Sequence, residues 1–167
     1  MNPILAAGLL IGALCGAWTF VMGFTGWYKD PMMAAYAFLP VVMLIEISGL
    51  LWGLRRTARQ GRTYSGQVVA GTLISIIAGI VIIGASLLFT TVAFPDYFND
   101  LNAASRDIMV KQGKTEAEIA DVLNAAEPMQ TPMANAFAGF LGTFVTGVVV
   151  SAVAAIWIRA RPAGAFN

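Results

Sequence analysis

Residues 43–62 read MLIEISGLLWGLRRTARQGR, and the reading of this stretch decides the fold. An apolar run holds one glutamate, Glu46. Trp52 follows, and then four arginines fall within eight residues: Arg55, Arg56, Arg59 and Arg62. That order describes a helix leaving a bilayer on its cytoplasmic side, with the tryptophan at headgroup level and one ionisable group left in the hydrocarbon. Nine positions separate Glu46 from Arg55. At ~1.5 Å per residue this is roughly 13 Å of helix, which places the carboxyl well inside the membrane.

The rest of the chain has the composition of a membrane protein. Of 167 residues 58% are hydrophobic and 11% charged, against about a quarter charged in an ordinary soluble domain. A net charge of +1 gives no reason to expect a nucleic-acid partner. There is no histidine, which removes a His-based triad and the commonest zinc ligand. The single cysteine, Cys15, cannot form an internal disulfide. No P-loop, dinucleotide fingerprint, nucleophile elbow or metal cluster occurs, so no enzymatic activity, catalytic residue, cofactor or metal is expected.

Outward from the opening stretch, the chain divides into four apolar spans at 4–28, 32–54, 64–94 and 133–158. They are joined by a cytoplasmic arginine loop at 55–63 and a polar segment at 95–132, and followed by a tail at 159–167. No Lys or Arg precedes the first span, which is also longer than a signal-peptide core, so it is expected to stay as a helix. Pro31 suits the first turn of the second span, and Pro40 inside it should kink the helix. Small residues recur every four positions: Gly8, Gly12 and Gly16; Gly71, Ser75 and Gly79; Gly139, Thr143, Gly147, Ser151 and Ala155. Each set lies on one helix face, where a neighbouring helix can approach closely. AGLLI at 7–11 with Gly16 is echoed by AGTLI at 70–74 with Gly79, an offset of 63 that suggests a parallel two-plus-two repeat.

The polar segment reads as two amphipathic helices. Gly113 stops the first, and Thr115 with Glu118 opens the second in a capping-box pattern. The fold expected is therefore all-α: a bundle of four transmembrane helices with an extracytoplasmic amphipathic helical hairpin between the third and fourth. Orientation follows from the bases. With both termini inside, Arg55, Arg56, Arg59, Arg62, Arg159 and Arg161 are cytoplasmic, while Lys29, Arg106, Lys111 and Lys114 lie outside.

Glu46 is the sharpest candidate site residue. No Lys or Arg lies within the four spans to neutralise it, so it carries a proton or faces water. It is read in two ways: as a proton- or ion-binding site, or as interhelical glue hydrogen-bonded to Ser48, Thr72, Ser75, Thr143, Thr146 or Ser151. The lack of a second acid, a base or a histidine favours glue. The four arginines are a candidate contact for anionic lipid or an acidic partner, although fixing orientation is their plainer role.

The compact four-span pattern, the arginine-rich loop and the insert FPDYF (94–98) … VKQGKTEAEIADVL (110–123) resemble the bacterial four-helix inner-membrane proteins, widespread in Bacteroidetes, that are grouped only as a domain of unknown function. The resemblance covers nearly the whole chain and implies no activity, cofactor or catalytic residue. The sequence thus points first to a small integral inner-membrane protein of structural or accessory type. The alternative is a proton-coupled small-solute carrier or channel using Glu46. The expected partners are the lipid bilayer and, as candidates, a second copy or another membrane protein. A dry bundle with a fully hydrogen-bonded Glu46 separates the first reading from the second, which needs a wet cavity and a break near Pro40.

Overall fold

The computed structural model describes residues 2–30 and 33–159. Pro31, the start of the second span at 32, Arg161 and the tail beyond it lie outside the described residues. Six α-helices are described: α1 (Pro3–Thr25), α2 (Leu39–Ala58), α3 (Tyr64–Leu88), α4 (Tyr97–Lys111), α5 (Glu116–Ala126) and α6 (Pro132–Ala154). Within the four expected spans the helices run Pro3–Thr25, Tyr36–Ala58, Tyr64–Ala93 and Pro132–Ala154, all long and apolar enough to cross a membrane.

Local chemistry sets the boundaries. The Asn2 side chain accepts from the Ile4 amide, and Pro3 occupies the first turn of α1. Gly26, at φ +71°, ends that helix in the left-handed conformation. Pro40 has no N–H to offer the carbonyl four residues back, and the chain widens just ahead of it into a π turn over Ala34–Phe38. A second π turn, Phe89–Ala93, finishes the third span. The capping box at Thr115 and Glu118 forms in both directions. At the arginine loop the helix runs further than the sequence suggests: Arg55 and Arg56 belong to the last turn of α2, which continues to Ala58. Basic side chains there complement the carbonyl end of the helix.

The packing is built on the small-residue seams. Gly8, Gly12 and Gly16 of α1 face Ile77, Val81 and Ala85 of α3, a constant offset that shows the two helices to be parallel. Ala7 and Ala70, and Ile11 and Ile74, related by the offset of 63, all lie in the core. On the other side of α3, its Gly71 and Ser75 meet Ser151 and Gly147 of the antiparallel α6. Gly49 and Gly53 of α2 receive Ile11 and Ala7. These contacts bring backbones together where lipid offers no hydrophobic drive to do so. Leu5, Leu9, Leu44, Val69, Ile80, Val145 and Val149 point outward and form the apolar exterior a bilayer requires.

The contacts of Gly147 make a direct test. A Cβ there collides with Ser75, whereas one at Gly84 meets nothing within 4 Å. Gly147→Leu is expected to lower stability by about 1–3 kcal/mol, the usual cost of overpacking. Gly84→Leu is expected to leave thermal unfolding in detergent unchanged.

Candidate functional site

Glu46 sits at mid-height of α2 and is only 3% exposed. Its carboxyl accepts a hydrogen bond from the Thr143 hydroxyl of α6 at 2.5 Å, and Thr146, one turn further on, lies beside it. Two other hydroxyls named by the sequence turn away: Thr72 donates to the Val68 carbonyl and Ser75 to the Gly71 carbonyl of their own helix. Of the two readings, the interhelical hydrogen bond is present. It is not the whole environment.

The same carboxyl lines a cavity of about 400 Å³ to which all four spans contribute. The cavity runs from Glu46, Thr143 and Thr146 past Cys15 and Thr19 of α1 and Ser86 of α3 to Tyr97 and Leu101 on the underside of α4. Ala34 and Phe38, in the π turn before Pro40, also contribute to its wall. In the opposite direction it ends. One turn from Glu46, Leu50 is 2% exposed, and with Ile11, Leu54 and Ile74 it belongs to the dry core at the arginine end. That core is closed by a buried polar staple, in which Thr57 donates to the Gln67 side chain at 2.6 Å and Gln67 donates to the Leu54 carbonyl at 3.2 Å. The bundle is therefore solid in one half and hollow in the other, and Glu46 marks the boundary.

The hollow half is roofed by α4. Tyr28 donates to the Asp100 carboxylate at 2.6 Å, and the Lys29 ammonium lies 2.9 Å from the same oxygen. Around this clasp Tyr28, Phe89, Phe94 and Tyr97 form a ring cluster of edge-to-face and tilted pairs, with centroids 4.7–6.4 Å apart. Such pairs contribute ~0.5–1.5 kcal/mol each beyond area burial. The Tyr28 hydroxyl, and then Lys29, hold the Asp100 carboxyl below its ordinary range. Burial and the bond to Asp100 push Tyr28 up, and the same carboxylate pushes Lys29 up. A further polar link, Asn135 to Ser86 at 3.1 Å, joins α6 to α3 along the wall.

Residues 7–160 match a family model whose description is "Protein of unknown function (DUF4199)". The chain belongs to that family. No curated protein and no solved structure matches it. The family description assigns no activity, so the chemistry must come from the geometry of the chain itself.

The four arginines gather at the solid end. Arg55, Arg56 and Arg59 are exposed and Arg62 is half-buried. The Arg56 guanidinium stacks 4.2 Å from the Trp52 ring centroid, an arrangement that suits an interface with lipid headgroups. They are far from Glu46 in the fold, so the two candidate sites do not combine. The sequence did not reveal the clasp. Its partners lie 72 positions apart, and the only local signal was the aromatic crowding at 27–28 and 94–98.

The clasp has a defined pH window. A lowered Asp100 pKa means that its contribution is complete above the ordinary carboxylate value of ~3.9 and is lost as pH falls through the lower, docked value. Raised values for Lys29 and Tyr28 mean that the contribution fades again only as pH climbs above ~10. Amide exchange, corrected for intrinsic rates, is expected to show α4 equally protected between those limits. Asp100→Ala should raise exchange in α4 throughout and leave the centres of α1 and α3 unchanged.

Proposed function

We propose that the protein is a proton-coupled carrier of small solutes in a bacterial inner membrane, with Glu46 as the group that exchanges the proton. The observation that carries this reading is the position of Glu46 at the floor of a cavity of about 400 Å³, at the height where the bundle changes from hollow to solid. The cavity is largely apolar, and its polar groups gather at the floor, where Glu46, Thr143 and Thr146 can hold water beside the carboxyl. Magnitudes favour function over glue. A hydrogen bond between membrane helices contributes ~0.6–2 kcal/mol. An acid at the centre of a span costs about 2.5–3.5 kcal/mol on insertion scales. A serine or glutamine would link α2 to α6 more cheaply.

A cavity that ends at the dry core on the arginine side and is covered by α4 on the other fits a carrier whose roof is α4, and does not fit a continuous channel. The arginine distribution supports placing the solid end and both termini in the cytoplasm, with α4 and α5 as an extracytoplasmic roof. The π turns at Ala34–Phe38 and Phe89–Ala93 lie beside the cavity, where helix geometry must give if the upper half is to change shape. The site is enclosed within one chain, so a second copy is not needed to complete it. The role is binding and movement, with no enzymatic step. The accessory reading draws on one observation, the Thr143–Glu46 bond that ties α6 to α2.

Infrared difference spectra recorded across a pH series distinguish the two. Wild type minus Glu46→Gln is expected to show a protonated-carboxyl band that disappears as pH rises. A difference spectrum indifferent to pH would mean a sealed carboxyl and would sink the carrier.

A further inference from the structure

We propose that the cavity takes a small organic monocation with an apolar or aromatic body, its charged head seated against Glu46. This rests on the carrier reading above and specifies its substrate class. The wall carries one ionisable carboxyl and no Lys or Arg among the described residues, so its formal charge, once the proton has left, is a single negative one. An anion would face that carboxylate without a counter-charge. A sugar or other polyol needs many directional partners, and the hydroxyls of the wall are largely committed. Thr19 donates to the Cys15 carbonyl, Thr143 donates to Glu46, and Ser86 accepts from Asn135. A bare metal ion needs several oxygen ligands at close range. No group of three or more acids and cysteines able to hold one occurs among the described residues.

What remains is an apolar enclosure with one acid at its floor, of a volume within the ~300–1,000 Å³ range of small-molecule pockets. Its upper wall is aromatic: Tyr28, Phe38, Phe89 and Tyr97. Ring faces attract a desolvated cation, and a quaternary ammonium in particular, so they favour a cationic guest above the floor. Charge is conserved in the exchange. The protonated Glu46 carboxyl releases its proton to the cavity water, the resulting carboxylate pairs with the incoming cation, and the cavity with its contents is neutral before and after.

Calorimetric titration of the purified full chain in lipid nanodiscs tests this with three water-soluble probes sharing a phenyl body: benzyltrimethylammonium, benzyl alcohol and benzenesulfonate. The cation is expected to bind at least about tenfold more tightly than either other probe. Its apparent heat should vary with the ionisation enthalpy of the buffer, as release of one proton requires. Glu46→Gln should lose both effects. The buffer dependence is read on wild type alone, so the test survives a variant that fails to fold. Equal binding of the alcohol or the sulfonate, or cation binding without proton release, would overturn the cation class and leave the cavity reading standing. If no probe binds and the Glu46 infrared band also ignores pH, the carrier reading falls with it.

Discussion

Helices in lipid gain nothing by hiding apolar surface from one another, and the close backbone approach permitted by small residues is the constraint on which this bundle depends. Where Gly71 meets Ser151, Gly147 meets Ser75 and Gly8 meets Ile77, neighbouring helices close on each other and leave a dry core. All of these contacts lie on the arginine side of Glu46. On the other side small residues do both: Gly16 still meets Ala85 and Gly23 meets Phe89 and Phe94, whereas a Cβ at Gly142 of α6, which lines the cavity, would meet nothing within 4 Å. A small residue draws helices together only if the facing helix supplies a knob; otherwise it leaves a void.

The upper half of the bundle is held by different forces. The aromatic cluster and the Tyr28–Asp100–Lys29 clasp fasten α4 over the cavity from outside the four spans. A roof secured by a partly exposed ion pair and ring contacts is easier to lift than a seam of interlocked glycines is to part. The hollow half therefore has the weaker closure, which is what the proposed carrier needs. Glu46, tied to Thr143, lies where the two regimes meet.

Much of this was legible in the sequence. The four spans follow from length and hydropathy, and the face-to-face use of Gly8, Gly12 and Gly16 follows from their spacing. The capping box at Thr115 and the stop at Gly113 formed where local chemistry put them. The seam of Gly139, Thr143, Gly147 and Ser151 was visible as one stripe, yet it divides into a tight lower part and an open upper part. Nothing in residues of α6 alone could foretell this, because the outcome depends on what α2 and α3 present opposite. For the same reason Glu46 could be placed in depth but not in a cavity. The clasp depends on a pairing between distant loops that leaves no periodic trace.

The central claim is that water reaches one half of the bundle and not the other. Cysteine accessibility measures this directly, with Ser86→Cys in the cavity wall and Ser75→Cys in the glycine seam, each in a Cys15→Ala background and in lipid nanodiscs. Serine to cysteine changes little volume, so both variants probe the native packing. A small water-soluble methanethiosulfonate is expected to modify the cysteine at position 86 readily and to leave the one at 75 unmodified. Protection at both positions would describe a dry bundle, and reaction at both would describe a pore; either result contradicts the account.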